Sequence, residues 1–310
     1  MARKHLVIAA LLMAAAVVLI ACGGNSKEAQ APTPTPRSAF PLTIEQSDGQ
    51  QLTLEQAPEH IVSLSTHATE ILCAIGAGDQ LAAVERYANC PLGSKEKPEL
   101  DAYQPNLEAI AGYRPDLVYI FSDTDGIVEA LRRVGTPVLY LELPSSLEGV
   151  LGQIELFGHL SGHENEAQEL VQSMRERMDA VKEKVADIEE GPRIFHELDP
   201  TYYTAAPNSF VGDFYNLLKA KNIAEGATDE YPQLSAEVII QRDPEVIILA
   251  DEAGGVTADS VKQRPGWDQI TAVKINRICV IVPELVSVPG PRVVEGLEAL
   301  ANCLYPELFP

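Results

Sequence analysis

Two histidines in this chain carry the chemistry to hold a metal. His67 follows Ser65 and Thr66 just past the apolar segment Ile61 to Leu64, and His196 stands beside Glu197 at the end of another, Arg193 to Leu198. An imidazole nitrogen with a free lone pair ligates a bare metal ion, a haem iron or a corrin cobalt, and the two rings are expected to face each other across a cleft. A second pair, His159 and His163, has the spacing that stacks two ligands on one helix face. Ser161-Gly162 lies between them and breaks the helix, so both are expected to be solvated. No cysteine pattern has zinc spacing, so no metal site is predicted from the cysteines. Catalytic signatures are missing too: there is no G-x-S-x-G elbow, no H-E-x-x-H and no Walker loop. Gly76-Ala77-Gly78 follows a helix instead of a strand and is not a dinucleotide loop.

The elements that would position these residues come in duplicate. Leu107 to Ile120 (LEAIAGYRPDLVYI) and Ala236 to Leu249 (AEVIIQRDPEVIIL) share one pattern. A Glu at the second position opens an amphipathic helical run, a Pro at the ninth stops it, an acidic residue follows, and four apolar residues form a buried strand. The near-continuous apolar runs Leu117 to Phe121 and Val246 to Ala250 suit parallel strands covered on both faces. The predicted fold is therefore α/β, with two Rossmann-like α/β sandwich lobes and a ligand cleft between them.

Leu42 to Leu54 alternates around Ser47-Asp48-Gly49 and reads as a hairpin. A helix is predicted over Ala68 to Ile75, capped by Ser65 or Thr66, another around Ile127 to Val134, and a strand over Pro137 to Leu141. From Ser146 to Ile188 the pattern is helical with one break at Ser161-Gly162. Its second part, Glu164 to Glu189, carries an apolar stripe through Ala167, Leu170, Val171, Met174, Met178, Val181 and Val185. A helix of that length rises ~39 Å and reaches from one lobe to the other. Such a stiff bridge implies that the lobes close little on a ligand.

Arg3 and Lys4 precede an unbroken apolar run from Leu6 to Ala21, too short for a bilayer span and suited to a signal-peptide core. Leu19-Ile20-Ala21-Cys22 looks like the lipobox of bacterial lipoproteins, which implies cleavage before Cys22 and its lipidation. The Pro- and Thr-rich stretch to Pro41 cannot bury apolar surface and is an extended tether. The expected organisation is a leader at 1–21, a tether at 22–41, a first lobe at 42–162, a bridging helix at 163–190 and a second lobe at 191–310. Lys and Arg number 23 against 45 Asp and Glu, a formal charge of −22, and loss of Arg3 and Lys4 makes the remainder more acidic. Such a surface repels nucleic acid and anionic lipid, so membrane contact is expected through the lipid anchor alone. The four remaining cysteines of an exported protein form disulfides, Cys73 with Cys90 and Cys279 with Cys303 within each lobe, or stay free as small buried residues.

Ligands of open α/β sheets sit beyond the carboxyl ends of the strands. Here these ends offer Ser65, Thr66 and His67, then Phe121 and Ser122, then Leu198 to Tyr203. Tyr87, Tyr103 and Tyr231 lie in loops rich in Pro, Asn and Asp. Either these aromatics line a cleft for a large, flat or greasy ligand, or each packs on its own lobe.

The segments YQPNLEAIAGYRPDLVYI, YTAAPNSFVGDFYNLL, YPQLSAEVIIQRDPEVIIL, RPGWDQITAVKINRICVI and PGPRVVEGLEAL resemble the class III, helical-backbone substrate-binding proteins of ABC importers for cobalamin and iron chelates. The similarity spans about residues 42 to 308. It implies an extracytoplasmic carrier, expected to be a monomer, that performs no covalent chemistry and has no resident cofactor. Its cargo would be a small metal chelate handed to a dimeric transmembrane permease. The resemblance places permease docking on Glu108 and Glu237, the second residues of the repeat. It places cleft aromatics at Tyr87, Tyr103, Phe121 and Tyr231, matching a corrinoid, and puts Glu284 and Val288 where cobalamin binders can have an Asp and an Arg. A cleft poor in cations favours an uncharged or cationic ligand. An iron siderophore or haem is the alternative cargo, and a metal-dependent enzyme or extracytoplasmic sensor built on His67, His196 and Glu197 is the alternative from another class.

Overall fold

The computed structural model describes residues 40–88, 90, 97–251 and 255–309. The expected leader, Cys22 and nearly all of the expected tether lie outside the described residues. Strands β1 (Leu42–Glu45) and β2 (Gln51–Leu54) close an antiparallel hairpin at the expected turn. Gly49 has φ +77° there, a conformation that strains any residue with a Cβ.

The first lobe is a five-stranded parallel sheet in the order β5-β4-β3-β6-β7. Its strands are β3 (Ile61–Leu64), β4 (Leu81–Glu85), β5 (Glu99–Leu100), β6 (Leu117–Ile120) and β7 (Val138–Tyr140). All four residues of β3 and of β6 are buried, as strands covered on both faces must be. Helices α1 (Thr66–Ala74), α2 (Leu107–Gly112) and α3 (Ile127–Arg133) connect the strands. Ser65 takes the N-cap position of α1 but its hydroxyl does not cap, because it is spent on His67.

The second lobe is a four-stranded parallel sheet in the order β11-β10-β8-β9. It comprises β8 (Arg193–Glu197), β9 (Lys221–Asn222), β10 (Val246–Leu249) and β11 (Ile278–Val280). Five helices belong to it, α6 (Phe210–Leu217), α7 (Ala236–Arg242), α8 (Ala258–Lys262), α9 (Thr271–Lys274) and α10 (Glu284–Ser287), and α11 (Val293–Leu304) ends the chain.

The internal repeat is a structural unit used twice. Asn106 and Ser235 cap α2 and α7 through their side chains, at 3.0 and 3.3 Å. Arg114 and Asp243, each just before the proline, adopt positive φ of 49° and 45°, so each helix is wound off by a left-handed residue that prevents its continuation into the proline. The acid after the proline then grips the start of the neighbouring strand. Asp116 accepts from the amides of Glu59 and His60 at 2.7 and 2.9 Å, and Glu245 accepts from the Arg193 amide at 2.9 Å.

Between the sheets run α4 (Leu147–Ser161) and α5 (Glu164–Lys184), broken by left-handed Gly162 as expected. Helix α5 packs on α4 of the first lobe and on α11 of the second, with Ala167, Val171, Met174, Met178 and Val181 buried. It is shorter than its predicted extent to Glu189. Its 21 residues rise ~31 Å. After Lys184 the chain tightens into three-residue turns, Ala186 onto Glu183 and Ile188 onto Val185, and Lys219 of the second lobe takes the carbonyls of Ala186 and Ile188. Cys73 is bonded to Cys90 and Cys279 to Cys303, with Cα separations of 5.7 and 6.2 Å.

Candidate functional site

The carboxyl ends of β3, β4 and β6 meet the turn between α10 and α11 around a cavity of about 140 Å³. The first lobe supplies Ser65, Thr66, His67, Glu85, Tyr103 and Phe121, among others, and the second supplies Ser287, Val288 and Pro289. The cavity therefore lies between the lobes. It is smaller than the roughly 300–1,000 Å³ of a typical ligand site, so a large ligand would lie across its mouth. Tyr103 stands at that mouth with 65% of its surface exposed, an unusual setting for an aromatic ring unless something covers it.

His67 is buried and its hydrogen bonds define its state. Gln153 donates its amide nitrogen to the Glu142 carbonyl at 3.0 Å, which turns its oxygen toward His67 Nε2 at 2.9 Å. Nε2 therefore carries the proton, and Nδ1 accepts from the Ser65 hydroxyl at 2.5 Å. The Tyr119 hydroxyl, which donates to the Leu141 carbonyl at 3.0 Å, lies 3.1 Å from the same Nε2. Both ring nitrogens are occupied, and burial lowers the pKa to about 4, so the ring is neutral. Its role in this arrangement is to hold the floor of the cavity.

The expected facing pair of histidines does not form. His196 is fully buried inside the second lobe, its Nδ1 2.5 Å from the Tyr215 hydroxyl and its pKa lowered by burial to about 4. Glu197 is likewise buried, in a bidentate pair with Arg264 at 2.5 Å to each oxygen, and Arg264 lies over the rings of Trp267 and Tyr202. Each imidazole is turned into its own lobe, where a desolvated ring finds its partners, although His196 Nε2 is left without one among the described residues. Among the described residues no three His, Cys, Asp or Glu side chains converge as a metal site. His159 is exposed and pairs with Glu164 at 3.3 Å, across the break from His163.

Of the residues singled out in the sequence, Thr66, His67, Tyr103 and Phe121 come together around the cavity, and Val288 joins them from the other lobe. Tyr87, Leu198, Tyr231 and Glu284 do not line it. Tyr87 is exposed on the loop after β4 beside Arg86. Leu198 is half-buried with its amide on the Tyr203 carbonyl, and Tyr231 is exposed near Ser209 at the start of α6, its hydroxyl pKa raised by burial and the Glu230 charge. Glu284 opens α10 on the surface. Glu108 and Glu237 are exposed in the first turns of α2 and α7. Sequence reasoning missed Glu85, a buried carboxylate in the cavity wall, although a charged residue closing the apolar run Leu81 to Val84 was a visible signal.

Comparison with known proteins extends this geometry. The family model described as periplasmic binding protein matches residues 61–285. An uncharacterized ABC transporter substrate-binding lipoprotein of Bacillus subtilis is 33% identical, covering 99% of both chains. A cobalamin-binding protein of Halobacterium salinarum is 28% identical over 95% of this chain and 83% of its own. Among solved structures, a possible iron-binding periplasmic solute-binding protein of Staphylococcus epidermidis superimposes with a TM-score of 0.72 at 29% identity, covering 81% of this chain and 100% of that one.

Proposed function

Since this chain belongs to the periplasmic binding protein family, we propose that it is the lipid-anchored, extracytoplasmic solute-binding component of an ABC importer, carrying a corrinoid. The observation that carries the reading is the cavity between the lobes, with exposed Tyr103 and half-buried Phe121 at its edge and no Lys or Arg among its described lining residues. An apolar, flat-faced wall suits the rim of a large planar chelate, and an uncharged ligand needs no cation. The cobalamin-binding relative supports this choice.

Tyr87, Leu198, Tyr231 and Glu284 belong in this reading to the wider rim that a ligand larger than the cavity would touch. Glu108 and Glu237 are the permease-docking anions: they sit at equivalent positions of the two repeat units, as a two-fold permease with two equivalent cationic pockets requires. Lipidation of Cys22 ties the body to the membrane through the tether, in keeping with the lipoprotein relative.

A ferric chelate is the second reading, favoured by the iron-binding structural neighbour. Haem held by His67 is disfavoured because both ring nitrogens are already engaged. Calorimetric titration of the full-length chain in detergent with cyanocobalamin tests the proposal. Micromolar or tighter binding that weakens in Tyr103→Ala and Phe121→Ala is the expected result. Absence of heat with cyanocobalamin, together with binding of a ferric hydroxamate, would replace the corrinoid by an iron chelate.

A further inference from the structure

Glu85 ends β4 with its side chain almost wholly buried in the wall of the cavity. One carboxylate oxygen, Oε2, is fully committed: it accepts from the Thr66 hydroxyl at 2.8 Å and from the Tyr87 amide at 2.8 Å. The other, Oε1, has no hydrogen-bond partner among the described residues. A buried acceptor left in this state has lost its water without gaining a bond, a penalty that is larger when it is charged. Folding does not relieve that cost: nearby Arg86 pairs with Asp101 instead, at 2.5 Å. The cavity's described lining offers no Lys or Arg either.

Resting on the corrinoid reading above, we infer that Glu85 determines which chelates the cleft accepts, its Oε1 taking a hydrogen bond from an amide or amine N–H on the ligand. A carboxylate is acceptor-only, so a ligand edge made of primary amides satisfies it. A ligand edge of carboxylate or catecholate oxygens would set like charges together in a partly desolvated site whose described lining holds no Lys or Arg to separate them. Selection thus works in both directions, through one bond gained by the right ligand and one repulsion suffered by the wrong one. Thr66 and Tyr87 are positioning residues in this scheme, because their two bonds to Oε2 fix the rotamer that leaves Oε1 free.

Glu85→Gln tests the assignment, since glutamine keeps the shape and can keep an acceptor for Thr66 and Tyr87 while turning the free oxygen into an N–H₂ donor. The full-length wild-type chain, Glu85→Gln and Tyr103→Ala would each be titrated with cyanocobalamin and with a trianionic ferric tris-catecholate. Melting temperatures would show that the variants are folded. The expected result is cyanocobalamin binding about tenfold weaker in Glu85→Gln, and catecholate binding that is undetectable in wild type and measurable in the variant. Unchanged cyanocobalamin affinity in Glu85→Gln, with affinity lost in Tyr103→Ala, would overturn the role of Glu85 and leave the corrinoid reading intact. A wild type that prefers the catecholate would overturn both, as would a wild type that binds neither chelate.

Discussion

Glu70 on α1 and Arg292 at the start of α11, 222 positions apart, form a bidentate ion pair that joins the two lobes, at 2.7 and 3.2 Å. Glu70 is buried, whereas the guanidinium keeps about a quarter of its surface exposed. The approach is close enough that a Cβ added at Gly290 would lie 3.3 Å from Glu70 Oε2. The pair pins the turn that carries Ser287, Val288 and Pro289 over the cavity. Arg292→Ala strands a buried carboxylate and is expected to cost about 3 kcal/mol. Glu70→Ala leaves an arginine that can reach water and is expected to cost less. Denaturant unfolding of both variants measures the difference, and equal losses would mean that the desolvation of Glu70 is not what the pair offsets.

His67 and His196 make the fold acid-sensitive. Burial holds both near pKa 4 in the folded chain, against about 6.5 when unfolded. The unfolded state therefore binds more protons between those values, so stability is complete above pH 6.5 and is lost as pH falls toward 4. Each ring contributes on the order of 3 kcal/mol over that range. Asp251 works the other way. Burial and then the Glu197 charge raise it to about 6, so its contribution is complete below pH 4 and is lost as pH rises through 6. Two histidines outweigh one aspartate, and the melting temperature is expected to fall between pH 7 and pH 4.5. Replacement of His196 by Gln should flatten that slope, and a profile as steep as the wild type's would contradict the assignment.

What could be read from the chain follows from range. The helix–proline–acid–strand repeat was legible because the signals that mark it, cap, stop and apolar run, lie in one short stretch of chain, whereas the grip of its acid on residues more than fifty positions away was not. The break at Gly162 was legible for the same reason. The fate of the charged groups was not. Glu85 closes an apolar run and Glu197 stands beside His196, but nothing local marks them or Glu70 as buried, because burial depends on partners that only the tertiary fold delivers: Thr66 for Glu85, Arg292 for Glu70 and Arg264 for Glu197. His196 misled because its position at a strand end matched a ligand site while Tyr215, 19 residues on, had already claimed it.

The repeat's acid clamp makes a paired prediction. Asp116→Ala releases the two amides that lead into β3, and Glu245→Ala releases one amide together with a half-exposed ion pair to Arg193 at 3.4 Å that is worth little. At about 1 kcal/mol for each hydrogen bond to a carboxylate that is partly exposed, Asp116→Ala is expected to cost about twice as much as Glu245→Ala. Urea midpoints at constant m-value would report this, and the opposite order would mean that the two copies are not held in the same way.

Cys73 and Cys90 tie the end of α1 to the loop that carries Tyr87, across a sequence separation of 17. Closing a loop of that length contributes roughly 3 kcal/mol, chiefly by restricting the unfolded chain. The Cys73→Ser, Cys90→Ser double variant is expected to lose about that much stability. Its affinity for cyanocobalamin should also fall, because Tyr87's amide helps to fix Glu85. Stability lost with affinity unchanged would show that the loop's position is independent of the bond.

Glu108 and Glu237 are exposed, do not line the cavity and carry no ion pair among the described residues, so their charges are free to meet a partner. Asn106 and Ser235 cap the two helix starts through their own side chains, and Glu237 is held by its own backbone amide and the Ser235 hydroxyl, which lower its pKa without burying it. Glu108→Ala and Glu237→Ala are therefore expected to leave melting temperature close to that of wild type, as for other exposed positions, and to leave cyanocobalamin affinity unchanged. Uptake through the permease should drop at least tenfold in each single variant and further in the double. Charge reversal of one permease pocket paired with Glu→Arg on the carrier should restore part of it. Full uptake by the double variant would remove these two residues from the interface, whatever the cleft binds.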